Sequence, residues 1–165
     1  MANALSGMRL LLAVAMPWLL SRGGLLPLVV WCVAALSDYA DGPLARHRDE
    51  VSFAGAVLDN VADVAFVLGG LATAAALGLI SWAVPASIGL SAGAYGVASV
   101  RSRAGPPRLA RSRIGHWAGV LNYVCLGVVA GAVAWEDPRL TFLVAAAATV
   151  TAGVNLAAVA ARWLR

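Results

Sequence analysis

The sequence predicts an all-α integral membrane protein: a bundle of six transmembrane helices with both termini in the cytoplasm. Three observations predict it. The 165-residue chain is 61% hydrophobic and only 12% charged, about half the charged share of a soluble domain. Its apolar runs approach the ~20 residues that a bilayer span needs, and Gly, Pro and charged residues separate them. Its basic residues are strongly biased to one set of segment ends. The length suits one domain over 1–165.

The first helix is expected from Asn3 to Leu20, closed by Ser21-Arg22-Gly23-Gly24. No small-residue cleavage pattern follows its apolar run, so it reads as a retained helix rather than a signal peptide. The second runs from Leu25 to Asp41, with Pro27 in its first turn, where a missing N–H does no harm. The third runs from Val51 to Leu79 and exceeds what a bilayer requires, so its first turns project into the cytoplasm. A turn containing Gly78 leads to the fourth, Ser81 to Val100. The fifth covers Arg113 to Trp135 and the sixth Pro138 to Trp163.

Orientation follows from arginine, since the chain has no lysine. Arg9, Arg46, Arg48, Arg101, Arg103, Arg108, Arg111, Arg113, Arg162 and Arg165 share one set of segment ends, against Arg22 and Arg139 on the other. Ten against two puts the first set in the cytoplasm. The net charge of +4 is thus a topology signal, and nucleic acid is not an expected partner. Cys32 and Cys125 lie in separate apolar runs without metal-ligand spacing and read as buried structural thiols. Gly89 and Gly93, Gly115 and Gly119, Gly127 and Gly131 recur four apart, a spacing that lets helix backbones approach inside a bundle or between subunits.

The chemistry concentrates between Asp38 and Asp63. Asp38 and Asp41 are spaced i, i+3, and Asp59 and Asp63 i, i+4, so each pair shares a helix face. The other acids, Asp49, Glu50, Glu136 and Asp137, fall in connections. Carboxylates in an apolar bundle are costly and need a cation or a proton. Oxygen-only ligands favour a hard ion, Mg²⁺ or Mn²⁺, and four carboxylates can hold two. Such a pair of ions suits phosphoryl displacement, while a proton or cation pathway fits the spacing equally well. Gly42, Ala45 and Gly55 beside the acids leave room for a flat group such as a nucleotide base.

Asp38-x-x-Asp41-Gly42-x-x-Ala45-Arg46, eight further residues, then Gly55-x-x-x-Asp59-x-x-x-Asp63 resembles the signature of the CDP-alcohol phosphatidyltransferases at all eight positions. The opening Asn3-Ala4-Leu5-Ser6-x-x-Arg9-Leu10 is similar to that family's first-helix entry. The resemblance implies transfer of a phosphatidyl group from a CDP-linked lipid, CDP-diacylglycerol, to a small polar alcohol, with release of CMP. It implies that Asp38, Asp41, Asp59 and Asp63 surround two divalent ions and that Asp63 is the general base. It implies that Asp38, Gly42, Ala45, Arg46 and Gly55 contact the CDP group. Arg46 either contacts a phosphate or pairs with an acid. It further implies a homodimer in the cell (plasma or inner) membrane, with the site facing the cytoplasm.

Two features depart from the family pattern. Pro43 should loosen or kink the second helix before Ala45. Asn60 and Val64 replace the Pro and Lys that often follow the third and fourth aspartates in glycerophosphate-using members. The acceptor is expected to be glycerol 3-phosphate, with inositol phosphate, phosphatidylglycerol or serine as alternatives. Arg103, Arg108, Arg111 and Arg113 are the candidate acceptor ligands, because arginine offers bidentate donors to phosphate. Arg113-Ile114-Gly115-His116 resembles the start of the fifth helix in glycerophosphate-using relatives, with His116 where they carry a stronger base. The competing class is a cation or proton transporter that uses the same carboxylates.

The arginine asymmetry makes a topological prediction. With Cys32 and Cys125 replaced by Ser, a cysteine introduced between Arg101 and Arg113 stays unlabelled by an impermeant thiol reagent in intact cells, while one at Glu136 is labelled. The reverse pattern would invert the assigned orientation.

Overall fold

The computed structural model describes residues 2–45, 53–101 and 113–163. These form six helices: α1 (Ala2–Arg22), α2 (Leu26–Ala45), α3 (Phe53–Ala76), α4 (Ala83–Arg101), α5 (Arg113–Trp135) and α6 (Leu140–Trp163), with no strand among the described residues. Each expected helix is present. α3, from Val57 to Ala76, α5 and α6 are long and apolar enough to cross a membrane, whereas the apolar part of α2, Leu26–Ser37, is shorter.

The helix ends follow local chemistry. Gly23 and Gly24, at φ +75° and +78°, turn the chain out of α1. α3 stops short of the expected Leu79 because Gly78, at φ +76°, closes it. The Gly78 amide donates to the Ala75 carbonyl (3.0 Å) and the Leu79 amide to the Ala74 carbonyl (2.9 Å), the paired bonds of a Schellman end. Ser81 receives the Ala83 amide on its hydroxyl (3.2 Å), and Asp137 receives the Arg139 amide on its carboxylate (2.8 Å). These caps start α4 and α6 two residues later than expected. α2 does not break at Pro43 but continues to Ala45. The proline fixes a φ that a helix accepts and forfeits one N–H bond, to the carbonyl four residues back, and the helix ends two residues after it.

α1 lies along α3, α5 lies between α2 and α6, and α6 also packs on α4. Met16 and Leu20 of α1, Phe66 and Leu71 of α3, and Leu126 and Val129 of α5 are fully buried and form the centre. The outer faces carry Leu11, Val14, Leu90, Phe142 and Val150, all exposed. A water-soluble bundle places polar residues there, so these faces suit lipid.

The glycine spacing has mixed outcomes. A β-carbon at Gly127 would lie 2.5 Å from the Trp31 ring, so this glycine admits α2 against α5. Trp31 reinforces the contact by donating its indole N–H to the Tyr123 carbonyl (2.9 Å). Gly89, Gly93 and Gly119 meet no such neighbour within 4 Å, so the expected packing inside the bundle is not realised there. Cys125 is buried as expected, while Cys32 is only half-buried; both are free thiols.

Gly127→Ala should therefore overpack the α2–α5 contact and lower stability by about 1–3 kcal/mol. Gly93→Ala meets nothing and should be neutral, or stabilising by up to about 1 kcal/mol, because alanine is the better helix former. Thermal unfolding of both variants in detergent checks the contrast.

Candidate active site and its clefts

Asp59 and Asp63 lie one turn apart in the first half of α3, and Gly55 lies one turn before them. Their side chains are 54% and 32% exposed. Between them and α1 sits Arg9, only 2% exposed and the largest fully buried side chain among the described residues. Its Nη1 forms a short hydrogen-bonded ion pair with Asp63 Oδ1 and a second ion pair with Asp59 Oδ1 at 3.5 Å. Sequence reasoning had used Arg9 only as a topology marker and as part of the first-helix resemblance. Its burial could have been suspected because it stands well inside α1 rather than at the helix end.

Asp38, Asp41, Gly42 and Ala45 all belong to the last turns of α2. Arg46, Arg103, Arg108 and Arg111 lie outside the described residues. Arg113 opens α5 and is exposed, lining neither of the clefts described next.

A cleft of about 670 Å³ opens between α2, α3 and α5, and Asp63 lines it together with Trp31, Ala35, Asn60 and His116. A second cleft of about 220 Å³ continues between α3, α4, α5 and α6. The two share Asn60, Val64, Ile88, His116 and Asn122. Asn60 and Val64 are therefore walls of both clefts. His116, exposed at the start of α5, borders both clefts.

Asn122, Asn155 and Arg162 also line the second cleft, and sequence reasoning missed them as site residues. Asparagines within otherwise apolar helices were the available signal, since polar groups there are costly unless they do something.

A divalent ion is tested here by donor chemistry. Asp59 and Asp63 present accessible carboxylate oxygens on one face, with no sulfur ligand beside them, and this fits a hard cation. Among the described residues no three His, Cys, Asp or Glu side chains converge; those of Asp38 and Asp41 are outside that description.

A family model described as CDP-alcohol phosphatidyltransferase matches residues 1–161. No curated protein matches the chain.

The Arg9 pair predicts an order of stabilities. Asp63→Ala removes a close, hydrogen-bonded partner of a buried guanidinium, and breaking such a pair costs up to about 3–5 kcal/mol. Arg9→Met instead leaves a carboxylate that water already reaches, and costs less. Thermal midpoints in detergent should fall in the order parent, Arg9→Met, Asp63→Ala, with the double variant recovering part of the Asp63→Ala loss. Additive losses would show that the two residues are not coupled.

Proposed function

The chain belongs to the CDP-alcohol phosphatidyltransferase family, and from that premise we propose that it transfers the phosphatidyl group of CDP-diacylglycerol to glycerol 3-phosphate and releases CMP. The family makes it a membrane transferase of phospholipid biosynthesis acting on a CDP-alcohol and an alcohol acceptor. The choice of CDP-diacylglycerol and of glycerol 3-phosphate is the finer proposal. The observation that carries it is Asp63: a carboxylate held by a buried arginine at the wall of a cleft large enough for a substrate.

In the proposed reaction the acceptor hydroxyl oxygen attacks the phosphorus on the lipid side of the diphosphate. The bond from that phosphorus to the CMP oxygen breaks, and CMP leaves. Asp63 takes the hydroxyl proton. For this it must be ionised and within hydrogen-bond reach of the hydroxyl. Arg9 fixes the carboxylate's orientation through Oδ1. Gly42, Ala45 and Gly55 offer a small-residue bed for the cytidine, and Arg46 a charge for a phosphate. Asp38, Asp41, Asp59 and Asp63 would hold two Mg²⁺ or Mn²⁺ ions, as the family generally uses divalent metals. When bound, these ions neutralise the diphosphate and the charge that develops on the leaving group.

The proposal extends to location and assembly. In this proposal all six helices span the cell membrane, the carboxylate end of the bundle faces the cytoplasm, where water-soluble acceptors are available, and two copies form a homodimer. A cation or proton transporter remains the reading from a different class. CMP release separates the two, because transport involves no covalent chemistry.

Purified protein with CDP-diacylglycerol and glycerol 3-phosphate should release CMP in Mg²⁺ or Mn²⁺ and stop when the metal is chelated. Asp63→Asn keeps an oxygen for Arg9 but cannot take the proton. Its turnover should fall by roughly 10²–10⁴ while nucleotide-lipid binding persists. Turnover within a few-fold of the parent would remove Asp63 as the base, and metal-independent release would remove the ions.

A further inference from the structure

Arg9 stands well inside α1 and is almost fully buried, so water does little to screen its charge. Its Nη1 donates a short ion-paired hydrogen bond to Asp63 Oδ1 and lies 3.5 Å from Asp59 Oδ1. Both carboxylates belong to the set that would hold divalent ions in the proposed reaction. The chain itself therefore already supplies a fixed positive charge to the α3 half of that set.

A guanidinium and a metal ion make opposing demands on the same oxygens. A cation beside Asp59 and Asp63 is repelled by Arg9 from a few ångströms away, and burial strengthens that repulsion. Nor can Arg9 give up its partners cheaply, because withdrawing a carboxylate leaves a buried charge poorly compensated. The two acids are unequal in this respect: Asp63 is the closer to Arg9, and Asp59 is the more exposed. A hard ion such as Mg²⁺ is seldom held by protein oxygens alone and commonly takes substrate phosphates into its shell. A diphosphate entering the chamber that Asp63 lines would bring the negative charge that Arg9 offsets.

We infer that Arg9 is a resident counter-cation that keeps the divalent-ion affinity of the empty site low, so that ions are held firmly only together with the diphosphate of the CDP-lipid. Buried as it is, Arg9 acts through Asp63 and Asp59, as a positioning residue, rather than on the substrate. After CMP departs, the same repulsion resets the site. This rests on reading the carboxylates as a divalent-ion site, and it goes further by assigning control of that site to a residue of α1.

The test is Mn²⁺ binding to the purified full chain in detergent, read from the electron paramagnetic resonance signal of the free ion, without acceptor and therefore without turnover. The parent should bind Mn²⁺ weakly. Saturating CDP-diacylglycerol should tighten binding by roughly tenfold or more, once the protein-free lipid micelle is subtracted. Arg9→Gln and Arg9→Met remove the charge. They should bind Mn²⁺ alone roughly ten- to a hundredfold more tightly than the parent and gain less from the lipid. Arg9→Lys keeps the charge and should stay close to the parent, which a role confined to packing would not require. Unchanged or weaker Mn²⁺ affinity in the folded neutral variants overturns the inference, as does Arg9→Lys binding as tightly as they do. Should the neutral variants fail to fold, the parent decides: equal Mn²⁺ affinity with and without the CDP-lipid overturns the inference as well. A parent that binds no Mn²⁺ under either condition fails the divalent-ion reading itself, which is a separate result.

Discussion

A guanidinium that is 2% exposed has to be neutralised where it lies, and Arg9 is neutralised by Asp63 and Asp59. The desolvation cost of a charge in apolar surroundings is recovered only with close, well-aligned partners. That requirement couples two helices that also bring Met16, Leu20, Phe66 and Leu71 to the common core. It pins α1 against α3 in one register, because a shift of α1 would strand the charge. It also gives the carboxylates of α3 a defined orientation before any substrate arrives. Stability and, in the proposed reaction, catalysis therefore draw on the same ion pair.

The rest of the bundle is arranged to place polar groups inward and apolar groups outward. Thr151 donates its hydroxyl to the Leu121 carbonyl (3.4 Å), and Asn155 bonds Asn122, so the α5–α6 contact is partly polar. These bonds hold the wall of the second cleft. The outer faces carry large aliphatic and aromatic side chains, which lipid solvates without penalty. Little separates residues that pack helices from residues that form the site. Asn122 and Asn155 do the first and line the second.

The number, order and approximate extent of the helices were legible in the sequence. Apolar run length and Gly, Pro and charge punctuation are local properties, and they locate α5 to the residue. The aspartate pattern was legible because helical spacing alone puts Asp59 and Asp63 on one face. Helix ends were less so: the Gly78 closure and the Ser81 and Asp137 caps shift them by two or three residues through bonds that residue type suggests but does not place. The expected end at Asp41 fell short because Pro43, whose φ a helix accepts, let α2 run on to Ala45.

What only the tertiary structure decided is which distant residues meet. Arg9 is 54 positions from Asp63, and nothing periodic in the chain reports their contact. Tyr95 stands on α4, Asn122 on α5, and Asn155 and Arg162 on α6, so their common cleft exists only once α3 to α6 have packed. The glycine spacing shows the same division. The sequence by itself determined where backbones are able to approach, through the absence of side chains at Gly89, Gly93 and Gly127. Packing decided that Trp31 fills the space at Gly127 while the other two remain open. A spacing encodes a surface, whereas a contact requires the partner surface as well, and that is supplied by another part of the chain.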